Sequence, residues 1–246
     1  MIKLFCYRLI FVVWTLSVCT LSLPFVFLPQ RYSFLVTTTW AKGVVFYSRV
    51  FFDISWEIRG EENIPQEACL VACNHQSLWE TCVLYLPLRR PLYVFKKELA
   101  FNPLFSWYLY KLGCISVDRK GGTAALKKFT KETLAALKQD RQIIIFPEGT
   151  RVPPGTHGKY QAGIASVYTQ ANVKVLPVAH NAGMCVPKKG KISSGKIIME
   201  FLPPIEPGMK RKPFMDELEK TITTAVDRIY AEANAEKIET TQQDMR

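Results

Sequence analysis

After Gly60 the sequence alternates between short apolar runs and longer amphipathic segments, and this alternation restricts the fold more than any other feature. The short runs are rich in β-branched residues and predict the strands Ala68–Cys73, Leu92–Phe95, Cys114–Val117, Gln142–Phe146, Val173–Val178 and Lys196–Phe201. The longer segments predict the helices Ser77–Leu86, Pro103–Leu112, Thr123–Lys138, Gly163–Ala171 and Pro213–Ala233. Alternation of this kind indicates an α/β domain with a mostly parallel central sheet flanked by helices.

The first part of the chain has a different character, because no charged residue occurs between Leu9 and Leu28. About 20 apolar residues suffice for a helix to cross the hydrocarbon core of a bilayer, and a shorter helix can dip in and return. A signal peptide is the alternative, although the region lacks a clear small-residue cleavage site. We therefore expect a hydrophobic helical membrane anchor that includes a transmembrane helix, which Pro24 and Pro29 end or kink.

A second apolar stretch, from Phe34 to Ile58, carries its charges along one stripe of a predicted helix, at Lys42, Arg49, Asp53 and Glu57. Such a helix lies at a membrane interface or packs against the first helix. An amphipathic core helix of a soluble domain is the alternative. The expected organisation is a membrane-anchoring helical segment at 1–58, an α/β domain at 59–236 and a polar tail at 237–246.

The net charge of +11 indicates an anionic partner, either nucleic acid or a membrane surface. The sequence contains no recognisable nucleic-acid-binding module, so the lipid bilayer is the expected partner. The seven cysteines form no CxxC pair and lie mainly in apolar runs, which is typical of reduced, buried thiols. No cysteine has a neighbourhood that favours a nucleophilic role. We expect a membrane location with the α/β domain facing the cytoplasm.

The segment from Leu70 to Glu80 predicts a buried strand, a polar turn and the start of a helix. Ligands of open α/β sheets bind at the carboxyl ends of the strands, and His75 occupies that position as a candidate general base. Glu80 can fold back and fix the tautomer of the imidazole. The alternative for Glu80 is structural, because with Ser77 as N-cap it completes a capping box.

A second strand, Gln142–Phe146, breaks into the sequence Pro-Glu-Gly-Thr-Arg. Arg151 suits a phosphate group, and Glu148 can hold that arginine or bind a substrate hydroxyl. An ordinary surface turn with a Glu–Arg pair is the alternative. Lys96 and Arg119 also follow predicted strands, so four strand ends are expected to face one crevice. A histidine among cations suggests a phosphate-bearing substrate whose hydroxyl meets the base.

Four segments together resemble, in order, the motif blocks of the glycerolipid acyltransferases. They are Asn-His-Gln-Ser-Leu-Trp-Glu at 74–80, Gly-Cys-Ile-Ser-Val-Asp-Arg at 113–119, Phe-Pro-Glu-Gly-Thr-Arg at 146–151 and Leu-Pro-Val-Ala-His-Asn at 176–181. The most similar branch is the PlsC-type 1-acyl-sn-glycerol-3-phosphate acyltransferases (lysophosphatidic acid acyltransferases). The blocks span a little under half of the chain, and their combination is far more specific than any one alone.

The resemblance implies transfer of a fatty acyl group from acyl-CoA or acyl carrier protein to the sn-2 hydroxyl of 1-acyl-sn-glycerol 3-phosphate, which gives phosphatidic acid. It implies that His75 is the base and that Glu80 stands where the family usually has aspartate. The residues that it assigns to glycerol phosphate binding are Arg119, Glu148, Gly149, Thr150 and Arg151, and Lys96 resembles a lysine found between the first two blocks. No metal or redox cofactor is expected.

Three other functions remain open at this point. A member of the same family can use another acceptor, such as lyso-ornithine lipid or glycerol 3-phosphate. A non-catalytic lipid-binding or lipid-transfer protein is less consistent with the presence of both His75 and an acid at position 80. A lipid hydrolase is disfavoured because no Gly-x-Ser-x-Gly sequence occurs.

Overall fold

The computed structural model describes residues 2–101 and 103–244. Its strands are β1 (Ile54–Arg59), β2 (Cys69–Cys73), β3 (Pro91–Lys96), β4 (Ile115–Val117), β5 (Gln142–Ile145), β6 (Val175–His180) and β7 (Gly195–Phe201). Its α-helices are α1 (Ile2–Leu21), α2 (Gln30–Phe52), α3 (Trp79–Val83), α4 (Pro103–Leu112), α5 (Gly122–Leu137), α6 (Gly163–Ala171), α7 (Ala182–Cys185) and α8 (Arg211–Asp244). Each predicted strand and helix of the α/β region overlaps an observed one.

The N-terminal segment forms a helical hairpin. α1 ends at Leu21, a 3₁₀ turn spans Leu23–Phe27, and α2 then returns along α1. Because Pro24 lies at the start of the 3₁₀ turn, the charge-free run Leu9–Leu28 does not form a single helix. In the part of the chain that the structure describes, no helix is long and apolar enough to cross a bilayer. The structure therefore does not support the predicted transmembrane helix.

The two helices of the hairpin pack closely through aromatic residues. Trp14 Nε1 donates to the carbonyl of Trp40 at 3.1 Å, and Trp40 Nε1 donates to Thr15 Oγ1 at 3.1 Å. Gly43 makes this approach possible, since a Cβ there would lie 2.3 Å from the Trp14 ring. The predicted packing of the second helix against the first is confirmed, and α2 also packs on α3 of the α/β domain.

The predicted helix 34–58 extends too far, because α2 ends at Phe52. Asp53 adopts a left-handed conformation (φ 52°, ψ 45°), which aspartate tolerates better than most residues. Residues 54–59 then pair in parallel with β7 as β1, a strand that the sequence reasoning missed. The boundary expected at 58/59 thus falls inside a strand. At the other end, α8 continues past Lys237, the expected start of the tail, and residues 245–246 lie outside the described part.

The seven strands form one sheet in the order β1-β7-β6-β2-β5-β3-β4. β6, β2, β5, β3 and β4 are mutually parallel, and β7 runs antiparallel to β6. The predicted mostly parallel sheet is confirmed. Since the five parallel strands share a direction, their carboxyl ends lie along one edge of the sheet, which is where an open α/β sheet binds its ligands.

Helices cover both faces of the sheet, and two apolar cores result. On one face α5, α6 and α8 contribute Phe129, Ile164, Phe214 and Ile222. On the other face α2, α3 and α7 contribute Val45, Val83 and Cys185. β2 and β5 lie between the cores and are buried along their full length, as expected for parallel strands covered on both sides. The burial holds the carboxyl edge of the sheet rigid.

Candidate active site

His75 lies two residues after the end of β2, at the carboxyl edge of the sheet. Its Nδ1 is 2.8 Å from Glu80 Oε1, so Glu80 reaches back to the imidazole as expected. The imidazole also stacks on the ring of Phe146, with ring centroids 4.0 Å apart and an angle of 16° between the planes. The carboxylate and the aromatic ring together fix the orientation of the imidazole.

The same carboxylate oxygen also caps the helix start. Glu80 Oε1 accepts the backbone N–H groups of Gln76 at 3.0 Å and of Ser77 at 2.8 Å. Ser77 Oγ accepts the N–H of Trp79 at 3.0 Å. The predicted capping box is only partly formed, because α3 has Leu78 rather than Ser77 as its N-cap, but the bond from Ser77 N–H and the contact with the histidine occur together. The capping bonds hold the carboxylate where the imidazole needs it.

Glu80 is ionised although its side chain is fully buried. Burial alone would raise its pKa, but the neighbouring imidazole of His180, the hydrogen bond from His75 and the N–H of Ser77 lower the pKa below its usual value. A carboxylate accepts hydrogen bonds only, so Nδ1 of His75 carries a proton and Nε2 has a free lone pair. Among the described residues Nε2 has no hydrogen-bond partner, and the side chain is 18% exposed. This nitrogen can take a proton from an incoming hydroxyl.

A second histidine holds the turn before His75, and sequence reasoning gave it no role. His180, at the end of β6, is fully buried. Its Nε2 donates to the carbonyl of Asn74 at 2.8 Å, and its backbone N–H and carbonyl bond the Asn74 side chain at 3.0 Å each. Its Nδ1 accepts the N–H of Ala182, and burial lowers its pKa, so His180 is neutral. The only sequence signal was its place in the fourth motif block.

Glu148 does not pair with an arginine in this structure, although the sequence suggested that it can. Its carboxylate accepts the backbone N–H of His75 at 2.8 Å and that of Gly158 at 3.4 Å. Only 7% of the residue is exposed, and this burial raises its pKa to about 7. In the geometry seen here, Glu148 braces the histidine through its backbone.

Cationic side chains lie along the same edge. Gly149, in the turn after β5, has a φ of +69°, and a Cβ there would lie 3.9 Å from the guanidinium carbon of Arg119. The second and third motif blocks are therefore adjacent. Thr150 and Arg151 follow in the same loop, with Thr150 exposed and Arg151 half-buried. Lys96 ends β3 at this edge, and its ammonium lies 3.1 Å from Glu98. The sheet order places the carboxyl ends of β2, β5, β3 and β4 next to one another along this edge.

The cysteines do not offer a competing nucleophile near the base. Burial raises the pKa of Cys69 to about 12 and the pKa of Cys114 to about 11, and it raises the pKa of Cys73 well above the usual value. These thiols stay protonated at neutral pH and are poor nucleophiles. Among these groups, the imidazole of His75 is therefore the better candidate for acid–base chemistry.

Comparison with known proteins agrees with this geometry. The family model described as Acyltransferase matches residues 55–181, which is more than half of the chain and contains all four motif blocks. The chain belongs to this acyltransferase family. His75, Glu80, Arg119 and the loop 148–151 all lie within the matched region.

Several relatives carry the name 1-acyl-sn-glycerol-3-phosphate acyltransferase, among them two bacterial proteins. The protein from Pseudomonas aeruginosa is 41% identical over 163 residues, which cover 65% of this chain and 62% of the relative. The protein from Streptococcus pneumoniae is 29% identical over 161 residues, which cover 61% of this chain and 58% of the relative. The matches thus span less than two thirds of these relatives.

A solved structure supports the fold. The crystal structure of the 1-acyl-sn-glycerophosphate acyltransferase PlsC from Thermotoga maritima superposes with a TM-score of 0.72 at 21% identity. The superposition covers 93% of this chain and 99% of that chain. Most of this chain therefore has the same fold as that solved structure.

Proposed function

We propose that this chain is a 1-acyl-sn-glycerol-3-phosphate acyltransferase, which acylates the sn-2 hydroxyl of lysophosphatidate to give phosphatidic acid. The observation that carries the proposal is the bond of 2.8 Å between His75 Nδ1 and the buried carboxylate of Glu80, at the sheet edge that also holds Arg119. The matching names of the two relatives support the choice of acceptor.

In the proposed reaction, Nε2 of His75 takes the proton of the acceptor hydroxyl, and the oxygen attacks the thioester carbonyl. An oxygen–carbon bond forms, the carbon–sulfur bond breaks, and the thiol of coenzyme A or of acyl carrier protein leaves with the proton that His75 returns. Glu80 stabilises the imidazolium that forms between these steps. A positioned general base contributes roughly 10²- to 10⁴-fold to such a rate. The transfer needs no metal, redox cofactor or acylated residue.

The phosphate of the acceptor is proposed to bind between Arg119 and Arg151. Guanidinium groups hold a phosphate through paired hydrogen bonds. Arg119 already lies over the turn at Gly149, and Arg151 has no ion-pair partner among the described residues. Lys96 and the hydroxyl of Thr150 lie at the same edge and would complete this phosphate-binding site. Glu148 shapes the site through the backbone rather than by direct contact with the phosphate.

We further propose that the hairpin brings the enzyme to the membrane as a peripheral attachment, with the α/β domain on the cytoplasmic side of the bacterial inner membrane. The apolar side chains of Leu21, Phe27 and Leu35, all on the hairpin, are 76%, 91% and 60% exposed. Exposed apolar residues that lie together mark a surface that binds a membrane or a partner. A variant with Leu21→Ser and Phe27→Ser should bind less to vesicles of phosphatidylglycerol and phosphatidylethanolamine. Met209→Ser, which removes an exposed apolar residue of the α/β domain, is the control, and equal vesicle binding by all three proteins would refute the attachment.

The reaction is tested by transfer of labelled oleoyl and palmitoyl groups to lysophosphatidate, with coenzyme A and acyl carrier protein as alternative donors. We expect transfer by the parent and none by His75→Ala, whose fold is checked by circular dichroism. Substantial turnover by folded His75→Ala would refute the base. If lysophosphatidate is not used but lyso-ornithine lipid or glycerol 3-phosphate is, the acceptor assignment is wrong and the family chemistry stands.

A further inference from the structure

The C-terminal helix contacts the active-site turn from far along the chain. The hydroxyl of Tyr230, on α8, donates to Gln76 Oε1 at 2.8 Å across 154 positions of sequence. Gln76 directly follows His75 and is 1% exposed. The backbone N–H of Gln76 donates to Glu80 Oε1. Gln76 therefore connects the carboxylate that orients the base to a hydroxyl on α8.

Gln76 is held from a second side by the segment that follows β6. The N–H of Gly183 donates to the same Gln76 oxygen at 3.3 Å. A Cβ at Gly183 would lie 2.9 Å from both the Cβ and the Oε1 of Gln76, so the two segments are in close contact. The side chain thus has little room to adopt another rotamer as long as Tyr230 is in place.

α8 also holds the loop after β5. Asp227 lies three residues before Tyr230, so both side chains project from one face of the helix. Asp227 Oδ1 is 3.0 Å from Nε2 of His157, which belongs to the loop that carries Glu148 and Arg151. One face of α8 therefore contacts the two loops that form the site.

We propose that Tyr230 is a positioning residue for His75, and that its hydroxyl fixes Gln76 and with it the turn that aims the imidazole. The proposal rests on the acyltransferase function proposed above. Tyr230 lies outside the residues that the family model matches. It does not touch the reacting atoms and acts through Gln76.

Tyr230→Phe removes the hydroxyl and keeps the ring. A displacement of less than 1 Å in a catalytic group can lower a rate substantially, so we expect kcat to fall about 5- to 20-fold. The KM for lysophosphatidate should change less than kcat, because the bond to Gln76 acts on the turn of His75 and only the second bond of the hydroxyl, to the backbone of Gly155, reaches the loop of Arg151. In a Gln76→Ala background, Tyr230→Phe should lower kcat no further, because the contact is already lost.

Tyr168→Phe is the matched control. Tyr168 is 2% exposed, and its hydroxyl donates to the carbonyl of Glu206 at 2.6 Å and accepts the N–H of Met209 at 3.1 Å. These partners lie beyond the bridge of Val175 with Ile205, at the opposite edge of the sheet from His75. The variant loses a buried tyrosine hydroxyl of the same kind, and its kcat should equal that of the parent.

A readout independent of activity separates this proposal from the proposed function. The chain has three histidines, so ¹³C-labelled histidine gives few imidazole signals, and a His75→Ala spectrum assigns that of His75. We expect the His75 signal to shift or broaden in Tyr230→Phe and to stay unchanged in Tyr168→Phe.

Four results would overturn the positioning role: an unchanged His75 signal, an unchanged kcat, an equal loss in both variants or an additive loss with Gln76→Ala. An inactive parent would instead refute the proposed function, and the histidine spectrum would still decide the role of Tyr230.

Discussion

Replacing Glu80 with glutamine tests the contact that orients the base. Glutamine has the shape of glutamate, and its carbonyl oxygen can take the place of Oε1, which accepts the bonds from His75, Gln76 and Ser77. Glu80 Oε2 has no hydrogen-bond partner among the described residues, so an amide nitrogen can occupy that position. The substitution therefore removes the negative charge and keeps the three accepted bonds, but it also leaves the buried amide N–H groups without an acceptor, which lowers the stability of the fold.

The magnitude follows from the distance and the burial. Opposite charges about 4 Å apart attract by about 4 kcal/mol at an effective dielectric constant of about 20. The difference between a charge-assisted and a neutral hydrogen bond gives a lower value, about 1–2 kcal/mol. We take about 2–4 kcal/mol of lost stabilisation of the imidazolium in the transition state, which corresponds to a fall in kcat of about 30- to 1,000-fold.

The assay is oleoyl transfer to saturating lysophosphatidate, with the melting temperature as a check on folding. Glu80→Asp keeps the charge and should retain more activity than Glu80→Gln, although the side chain is shorter. Glu206→Gln, at an exposed glutamate that pairs with Lys174, is the control for a lost carboxylate and should behave like the parent. A folded Glu80→Gln variant with kcat within about 3-fold of the parent would refute the role of the charge.

Two further predictions concern the loop after β5. Burial raises the pKa of Glu148 from 4.5 to about 7, so the folded protein keeps a proton that the unfolded chain loses, and the parent loses stability as pH rises through this window. The free energy of unfolding in urea should therefore rise for Glu148→Gln relative to the parent, by up to about 3 kcal/mol between about pH 5 and about pH 8. A difference in unfolding free energy that does not change with pH would contradict this. Gly149→Ala places a Cβ near Arg119 at a φ of +69°, and it should raise the KM for lysophosphatidate as well as cost about 1–2 kcal/mol of stability. Gly155→Ala is the control, because its φ is +72° and nothing lies within 4 Å of an added Cβ, so it should show the same strain without the change in KM. Equal KM values in the Gly149→Ala and Gly155→Ala variants would exclude a role for the Arg119 contact.

The sequence by itself determined the class of fold and the position of His75 at a strand end. Short β-branched runs that alternate with amphipathic segments produce buried parallel strands and covering helices, and this pattern is local. His75 could be placed at a strand end because its neighbours on both sides belong to recognisable elements. Glu80 could be paired with it because it lies five positions further on, and a helix start brings them together.

The ends of helices and strands were harder to predict from the sequence. The apolar pattern continues without interruption from α2 into β1, and only the left-handed conformation of Asp53 and the pairing with β7 separate helix from strand. The charge-free run Leu9–Leu28 has the length of a membrane span, but the turn at Pro24 divides it. In both places a tertiary contact or a single backbone conformation decides the outcome, and hydrophobicity alone does not encode it.

Only the tertiary structure decided how the site is supported. Glu148 bonds the backbone of His75 across 73 positions, His180 bonds Asn74 across 106, and Tyr230 reaches Gln76 across 154. Such contacts depend on the order of strands in the sheet and on where α8 packs. A strand that precedes a catalytic residue is visible in a local pattern of side chains, whereas a distant residue that holds it in place leaves no local pattern.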